Sequence, residues 1–405
     1  MKLKQLMNRE MFPDIFESTL GDYLKTRTSW EGKIVWGESA RHGATNFLAN
    51  SELNLIFPVL CDSRKLTILA AEYAFNENLL KRLLQALYVK LSVLPLVRNL
   101  FSSYKLHITN LPVDFSNICI LPGNNTIRIV DFDADECVVI LKKGFDAKKF
   151  KNTILVRSTY SNIPGPKIKS YDLEEGWYRE EKIVGLPVNR VQDQLRRKAA
   201  VDETKMFLAD MYLNTEIIEE TLFWRLCKLQ EVEEAIHVLP ASIDKLLLKR
   251  LDSIKVLLFG LFDSNFSESK GVSTALTHGD LQDANLLIPA DDRTCSVYII
   301  DWEYAGKRCS HYDLFVYGLL SRSPKGLMKR IHHLFNSLTS NKNQFDWYDF
   351  SSVNKNQLKK LIILFLIDDL LFRLHDSNRP SFEQIPDGLE VFLDEVQEAS
   401  SIYSS

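Results

Sequence analysis

The residues whose types and spacing could perform chemistry are concentrated between positions 277 and 313. Asp280 and Asn285 lie five positions apart in the polar segment THGDLQDAN, and Asp301 directly follows the apolar run VYII. A carboxylate at the end of a buried strand is costly unless an ionic or strongly hydrogen-bonding partner compensates its charge. We therefore expect a cation or an equivalent partner beside Asp301.

A hairpin that joins the runs LLI and VYII would bring Asn285 and Asp301 side by side. One amide oxygen and one carboxylate make a poor zinc site but suit Mg²⁺, which keeps several waters and takes its other ligands from nucleotide phosphates. Asp280, on the same loop, could then orient a substrate hydroxyl and accept its proton. The alternative interpretation of the three residues is an ordinary Asx-rich turn.

Two segments together carry a resemblance to a known family. HGDLQDAN, which begins at His278, and IDWEYAG, which begins at Ile300, resemble the aminoglycoside phosphotransferase and choline kinase family. IDWEYAG is especially similar to choline and ethanolamine kinases. The resemblance implies a protein-kinase-like fold that uses ATP and Mg²⁺, with Asp280 as the catalytic residue and Asn285 and Asp301 as the metal ligands.

Other residues near the motif have two interpretations each. We expect His278 to pack and hydrogen-bond within the catalytic loop, with proton transfer as the alternative. Asp313 falls where the family has a structural Asp. Glu303 is either a contact to the substrate or metal region or a solvated residue. Asp368 and Asp369 follow a very apolar run. Asp369 is expected to pair with Arg373 one helical turn later, and the alternative is that the two carboxylates bind a cationic substrate.

The ATP lysine of the family is matched by Lys142. It ends the apolar run VVILK, where the resemblance implies contact with the phosphates. A one-residue shift would choose Lys143 instead, because adjacent strand residues point to opposite faces. The helix that follows places Thr153 where many relatives have a Glu that pairs with this lysine, so that acidic partner is missing or comes from another element.

The nucleotide is expected to meet two further segments. Gly123 and Asn124 lie in LPGNN, between the first two strands, where the family has its phosphate-covering loop. The run EEKIV, which contains Glu181 and Ile183, resembles the hinge whose backbone groups hold adenine. These residues complete the expected cofactor-binding set.

Hydrophobic periodicity divides the chain into three regions. Residues 1–110 are expected to be an accessory region, with a leucine-rich helix whose stripe at 79–94 is buried as core or as an interlobe face. Residues 111–186, with a three-stranded meander, a helix and two strands, are the small ATP-binding lobe. Residues 187–405 are the helical catalytic and substrate lobe, with a β interruption near 286–300. This succession predicts an α+β, bilobal protein-kinase-like fold.

Composition limits the class of protein. The chain has 405 residues, of which 45% are hydrophobic and 25% charged, and a net charge of −3. These values are ordinary for a soluble globular protein and give no overall basic field for nucleic acid. The most apolar run, 361–367, is far shorter than the ~20 residues of a transmembrane segment. The cysteines show no metal-ligand spacing, which favours reduced thiols in a cytoplasmic protein.

The favoured function is a small-molecule kinase, an ATP-dependent phosphotransferase with an alcohol group as acceptor. The hydroxyl would belong to an amino alcohol, a sugar or an aminoglycoside-like substrate. The alternative is a pseudokinase-like nucleotide-binding protein without turnover, which Thr153 and the single glycine of the phosphate loop favour. A protein kinase would have an Arg after His278, where this chain has Gly279.

Overall fold

A computed structural model describes most of the chain: residues 2–37, 43–74, 78–112, 115, 117–160, 162–239, 243–290, 297–323, 325–339, 353–377 and 387–398. The chain divides into two compact units. Unit 1 is Met1–Val201 with Leu286–Glu303, and unit 2 is Asp202–Asn285 with Tyr304–Ser405. Cys295 and the connection at 291–296 lie outside the described residues.

The strands are rich in β-branched and aromatic residues, as pleated and half-buried segments require. In chain order they are β1 (Ile34–Trp36), β2 (Ala44–Asn50), β3 (Leu55–Pro58), β4 (Tyr104–Thr109), β5 (Ile118–Pro122), β6 (Thr126–Asp131), β7 (Glu136–Leu141), β8 (Ile168–Asp172), β9 (Trp177–Glu181), β10 (Gly185–Pro187), β11 (Ile217–Glu220), β12 (Gly271–Thr277), β13 (Leu286–Pro289), β14 (Tyr298–Ile299) and β15 (Gly306–Cys309).

Several helices begin at an Asp or Asn whose side chain accepts from the first-turn backbone, for example Asp62, Asn78 and Asp146. In chain order the helices are α1 (Leu3–Arg9), α2 (Phe12–Thr28), α3 (Ser63–Ala70), α4 (Leu79–Val93), α5 (Ala147–Thr159), α6 (Gln194–Thr215), α7 (Thr221–His237), α8 (Lys245–Phe266), α9 (Tyr312–Gly318), α10 (Leu327–Thr339), α11 (Lys355–Ser377) and α12 (Asp387–Glu398). Within the described ranges, every helix is too short or too polar to span a bilayer.

Unit 1 is built on one sheet of nine described strands in the order β1-β4-β2-β3-β5-β6-β7-β9-β8. The predicted meander is confirmed as β5, β6 and β7, which pair antiparallel, and α5, β8 and β9 follow as expected. Residues 34–109 contribute four strands to the same sheet, with β3 beside β5. The boundary expected near residue 110 therefore lies inside one continuous sheet.

Alternating side chains pack both faces of this sheet against helices. α1 and α2 cover one face, where Phe12 packs in a cluster with Ile127 and Ile140. α3, α4 and α5 cover the other face, where Val139 packs with Phe150. Each side chain of β6 and β7 therefore lies either on the face covered by α1 and α2 or on the face covered by α3, α4 and α5.

The leucine stripe of α4 is not buried, which corrects the sequence prediction. The helix buries Val89 and Val93 against the sheet instead. The leucines lie on the opposite side and are about half exposed or more: Leu79, Leu80, Leu83, Leu84 and Leu87. The periodicity identified a helix with one apolar face correctly, but a different, smaller set of side chains packs against the protein.

Unit 2 is mainly helical, with β12 between β11 and β15 in its sheet. Its core joins the described helices α7 to α12 through side chains such as Trp224, Leu251 and Phe365, all at most 1% exposed. The run at 361–367 is a buried part of α11. A strand-rich unit and a helix-rich unit confirm the predicted α+β class.

Candidate functional site

The polar loop at 278–285 follows β12 and is held through its backbone. Both carboxylate oxygens of the buried Asp313 accept hydrogen bonds, from the His278 N–H at 2.7 Å and the Gly279 N–H at 2.8 Å. Gly279 has a φ of +88°, and a Cβ there would lie 2.2 Å from the Tyr304 carbonyl oxygen. Only glycine fits, because a side chain would clash and the left-handed backbone is costly for other residues. Asp313 thus has the structural role that the resemblance implied.

The Asp280 carboxylate is oriented through both of its oxygens. Oδ1 accepts from Nε of Arg322 at 2.8 Å, and Oδ2 accepts from Nε2 of Gln282 at 3.0 Å. Asn285 Nδ2 donates to the Asp280 carbonyl oxygen at 2.8 Å. The Asp280 N–H donates to Nδ1 of the fully buried His278 at 3.3 Å. The geometry of His278 is therefore that of a packing and hydrogen-bonding residue of the loop.

Arg322, which the motif did not single out, connects the partly buried Asp280 with the buried carboxylate of Asp369. Its Nη1 donates to Oδ1 of Asp369 at 2.6 Å, and its guanidinium carbon lies 3.6 Å from the centre of the Phe372 ring. Burial lowers the pKa of Arg322, but Tyr312 and the two carboxylates outweigh burial and raise this pKa well above its ordinary value. Arg322 therefore stays charged and fixes the position of Asp280.

Asp369 is the other anchor of this network. Its Oδ2 accepts from Nε of Arg373 at 2.9 Å, so the predicted pair one turn apart on α11 is confirmed. Burial raises the pKa of Asp369, but Arg373 and Arg322 more than reverse this effect and hold the pKa below its ordinary value. A carboxylate bonded by two guanidinium groups is already compensated, which argues against a cationic substrate at this position.

Unit 1 contains a cavity on the sheet face that α5 covers. Five of the charged residues in its wall are Arg128, Arg157, Glu180, Lys182 and Asp301. Arg128 Nη2 donates to Oδ1 of Asp301 at 3.1 Å, and its Nη1 lies 3.6 Å from the buried Glu180. Burial lowers the pKa of Arg128, but Asp301 is the strongest of the negative groups that together raise it. The ionic partner expected at Asp301 is therefore an arginine of the same unit.

The cavity wall contains Thr153 of α5 and a buried acidic residue of β9, Glu180. Thr153 lines the cavity, and its hydroxyl donates to the Lys149 carbonyl oxygen at 3.3 Å. Glu180 is 3% exposed, and its second oxygen lies 2.8 Å from Arg157 Nη1. Glu180 thus pairs with two arginines of the cavity wall, whereas the acidic partner of Lys142 comes from another element, at Glu10.

Lys142 does not line this cavity, and the prediction that its amine meets the phosphates does not fit its geometry. The side chain is fully buried on the other face of the sheet, where Nζ donates to Oε1 of Glu10 at 2.6 Å. Nζ also donates to the Asn124 carbonyl oxygen at 3.0 Å and lies 5.2 Å from the centre of the Phe12 ring. Strand alternation explains the difference, because Lys142 shares the face of Ile140.

Lys143, the alternative ATP lysine, is also outside the cavity wall. Its Nζ donates to Oδ2 of Asp22 at 2.6 Å, and its side chain is 61% exposed. Arg128 on β6, which pairs with Val139 of β7, is thus the cation that the sheet presents to the cavity beside Asp301. No sequence pattern pointed to Arg128, since a lone Arg in a strand is usually a surface residue.

The loop between β5 and β6 contributes to the cavity through a neighbouring residue. Gly123 N–H donates to the Thr126 carbonyl oxygen at 2.9 Å, and a Cβ on Gly123 would lie 2.8 Å from that oxygen, so the turn itself requires glycine. Among the described residues, Asn125 and Thr126 line the cavity, whereas Gly123 and Asn124 do not. Asn125 Nδ2 donates to Oε2 of Glu303 at 2.9 Å, which favours a structural contact for Glu303.

Glu181 and Ile183 both line the cavity at the end of β9. The Glu181 N–H donates to the Lys167 carbonyl oxygen at 3.1 Å and is committed to the sheet. Ile183 lies beyond the last residue of the strand, and its backbone forms no hydrogen bond with another described residue. Ile183 is therefore the better placed of the two to recognise a ligand through its main chain.

The two residues that the sequence predicts as metal ligands, Asn285 and Asp301, belong to different units. Asn285 directly precedes β13, Asp301 follows β14 by two residues, and the predicted hairpin is confirmed by the antiparallel pairing of Leu286 with Ile299. The Asn285 amide nitrogen is committed, so Oδ1 is the atom that a cation would take. These oxygen donors suit Mg²⁺. Among the described residues, no group of three or more His, Cys, Asp or Glu could hold a metal.

No protein-family model and no curated protein matches the chain. It is similar to the solved structure of choline kinase LicA from Streptococcus pneumoniae, with 16% identity, a TM-score of 0.44, and coverage of 72% of this chain and 92% of that chain. It is also similar to aminoglycoside phosphotransferase APH(4)-Ia, with 13% identity, a TM-score of 0.46, and coverage of 72% of this chain and 94% of that chain. A third similar structure is Plasmodium vivax ethanolamine kinase, with 16% identity, a TM-score of 0.42, and coverage of 85% of this chain and 96% of that chain. All three are kinases or phosphotransferases by name.

Proposed function

We propose that the chain is a small-molecule kinase of the aminoglycoside phosphotransferase and choline kinase type, which transfers the γ-phosphate of ATP to a substrate hydroxyl. The observation that carries the proposal is the Asp280 carboxylate, oriented by Arg322 and Gln282 in a loop whose backbone Asp313 holds. In phosphoryl transfer the protein mainly positions the reacting groups and balances their charge, and a carboxylate that is already oriented before the substrate binds serves both purposes.

Asp280 would orient the acceptor hydroxyl and take its proton as the oxygen attacks phosphorus. Arg322 binds one oxygen of this carboxylate and keeps it from rotating, and its other nitrogen atoms are tied to Asp369 and to the loop carbonyl of Gly279. When bound, magnesium would neutralise charge on the phosphates, with oxygen ligands from Asn285 and Asp301. His278 would act as a positioning residue rather than in proton transfer.

The nucleotide would occupy the cavity of unit 1. Ile183 would recognise the base through its backbone, while Arg128 supplies the positive charge that the sequence assigned to Lys142. A guanidinium suits phosphate oxygens because it can donate two parallel hydrogen bonds. Lys142 would contribute indirectly, since its hydrogen bond to the Asn124 carbonyl fixes the loop whose next residue, Asn125, lines the cavity.

A nucleotide-binding protein without turnover is the second candidate, and one observation favours it. Asp301, the carboxylate that would hold magnesium, is bonded to Arg128. In a protein that keeps this ion pair when nucleotide binds, Asp301 would not be available to hold magnesium, and phosphate transfer would not follow. The two candidates therefore differ in whether magnesium strengthens nucleotide binding and whether any acceptor is phosphorylated.

The test is to measure transfer from labelled ATP to choline, ethanolamine, simple sugars and aminoglycosides, with ATP binding measured by calorimetry. We expect Asp280→Asn to bind ATP within about twofold of wild type and to lose at least about a hundredfold in turnover, the usual effect of removing a positioned acid–base group. Asp263→Asn is the matched control, because Asp263 also pairs with an arginine, Arg225, outside the loop.

The outcomes separate the candidates. Wild-type turnover in Asp280→Asn would refute the role given to this carboxylate. ATP binding by the wild type without transfer to any acceptor, water included, would favour the binding protein.

A further inference from the structure

Helix α4 turns an apolar face outward. Leu83 and Leu87, one turn apart, are 59% and 52% exposed, and Leu79, Leu80 and Leu84 are exposed to a similar degree. Beyond the end of the helix, Leu96 is 95% exposed. Contiguous apolar surface of this kind marks an interaction site more often than single exposed leucines do.

The helix is fixed in this orientation by its other side. At ~100° per residue, the exposed leucines occupy one arc of the helix, and Val89 and Val93 lie on the opposite side. These two valines are at most 3% exposed and pack with Leu66 of α3 and Phe57 of the sheet. Turning the leucines inward would expose this buried cluster, so the outward face is a stable property of the fold.

The charged residues of α4 itself have one sign. The helix contains Lys81, Arg82 and Lys90 and no Asp or Glu, whereas Glu72 and Glu77 precede it in the sequence. Within the described part of the chain, no ion pair engages these three side chains. The whole chain carries a net charge of −3, so the basic character belongs to this segment and not to the protein in general.

We propose that α4 docks on the surface of an anionic lipid bilayer, with its leucines in the interface and its basic side chains against lipid headgroups. A helix with an apolar face and flanking Lys and Arg has the composition of an interfacial helix, and anionic lipids attract such basic segments. Self-association fits less well, because an isologous dimer would bring the same basic residues of both copies together without an acidic partner on the helix.

The test is sedimentation of the full chain with phosphatidylcholine vesicles that contain either no phosphatidylglycerol or about 40% of it. We expect binding only to the anionic vesicles. Binding should weaken when the salt concentration is raised several-fold, because salt screens the attraction between the basic side chains and the anionic headgroups. Leu83→Gln with Leu87→Gln should reduce binding at least about tenfold, since each half-exposed leucine contributes about three- to fivefold. Lys81→Glu with Lys90→Glu should reduce it similarly.

Leu222→Gln with Leu226→Gln is the matched control. These leucines are also one turn apart, on α7, and are 57% and 52% exposed. Their replacement should leave vesicle binding unchanged, and all variants should keep the wild-type melting temperature because the replaced side chains are exposed.

Three results would overturn the proposal. One is equal binding to neutral and anionic vesicles, and another is unchanged binding by the Leu83/Leu87 variant. The third is a wild-type protein that binds no vesicles but forms a dimer in sedimentation velocity, while the Leu83/Leu87 variant stays monomeric. This result would assign the apolar face of α4 to a second copy of the chain. None of these results depends on whether the protein is a kinase.

Discussion

Replacing Lys142 by Met should unfold the protein more readily and leave nucleotide recognition intact. The change removes the charge but keeps the length of a side chain that lies over the Phe12 ring. It leaves the carboxylate of Glu10 buried without the ammonium that it bonds at 2.6 Å. The structure thus replaces the expectation from sequence, in which this lysine contacts the phosphates of ATP, by a role in stability.

The size of the effect follows from the burial of both partners. The side chains of Lys142 and Glu10 are 0% and 3% exposed. Removing one partner of a buried pair typically costs about 3–5 kcal/mol, because the remaining charge is left without compensation. With about 2–4 °C per kcal/mol for a unit of roughly 200 residues, the melting temperature should fall by about 6–20 °C.

A second variant separates the charge from the packing. In Glu10→Gln with Lys142→Met no charge remains buried, and replacement of a whole buried pair is often neutral. We therefore expect the double variant to recover much of the lost stability. Lys143→Met is the matched control, since Lys143 and its partner Asp22 are 61% and 52% exposed and such pairs contribute little.

Urea unfolding and calorimetric ATP titration at low temperature provide the assay. We expect the unfolding midpoint of Lys142→Met to fall and its ATP affinity to stay within about threefold of wild type, the small change coming through the loop that holds Asn125. An unchanged unfolding midpoint together with a large loss of ATP affinity would refute the structural role of Lys142 and restore the prediction made from sequence.

Three further predictions concern Arg128, Asp369 and Asp313. Arg128→Gln should weaken ATP binding by about tenfold or more in calorimetry, with little change in the unfolding midpoint, because one charge-assisted contact to phosphate is lost. Asp369→Asn should lower the free energy of unfolding by about 3–5 kcal/mol at pH 7. The folded-state pKa of Asp369 lies below its ordinary value, so its contribution to stability is complete above about pH 4 and is lost as the pH falls further. The free energies of unfolding of wild type and variant, measured by urea titration, should therefore converge as the pH falls below about 4. Asp313→Asn should speed hydrogen exchange at the His278 and Gly279 amides, since both donate to this carboxylate.

Local pattern predicted the elements of this fold better than the partners of its charged residues. The meander β5–β7, the helix α5 and the hairpin β13–β14 were predictable because strand alternation and turn residues are local signals. The Asp369–Arg373 pair was predictable for the same reason, since a helix brings residues four apart together. The loop around Asp280 was predictable because its motif is short and contiguous.

The errors have a common physical origin in contacts between distant segments. Lys142 was assigned to the phosphates because nothing in the run VVILK reveals that Glu10, more than a hundred residues earlier, lies against that face of the sheet. The stripe of α4 was expected to be buried, as core or as an interlobe face, because periodicity shows that a helix has an apolar face but not what covers it. Arg322 and Glu180 were missed because each acts through a residue far away in sequence.

The ion pair between Arg128 and Asp301 bears most directly on the choice between a kinase and a binding protein. Their side chains are 31% and 47% exposed. At such exposure an ion pair contributes only about 0–1 kcal/mol, because water solvates both charges almost as well when they separate. A phosphate oxygen can therefore displace Asp301 from the guanidinium at little cost, which would leave the carboxylate for a metal ion that arrives with the nucleotide. The pair is thus too weak to exclude catalysis, whereas the buried network that orients Asp280 requires many compensating contacts. A chain that needed only to bind a nucleotide would gain nothing from that second network, and for this reason the kinase is the stronger of the two proposals.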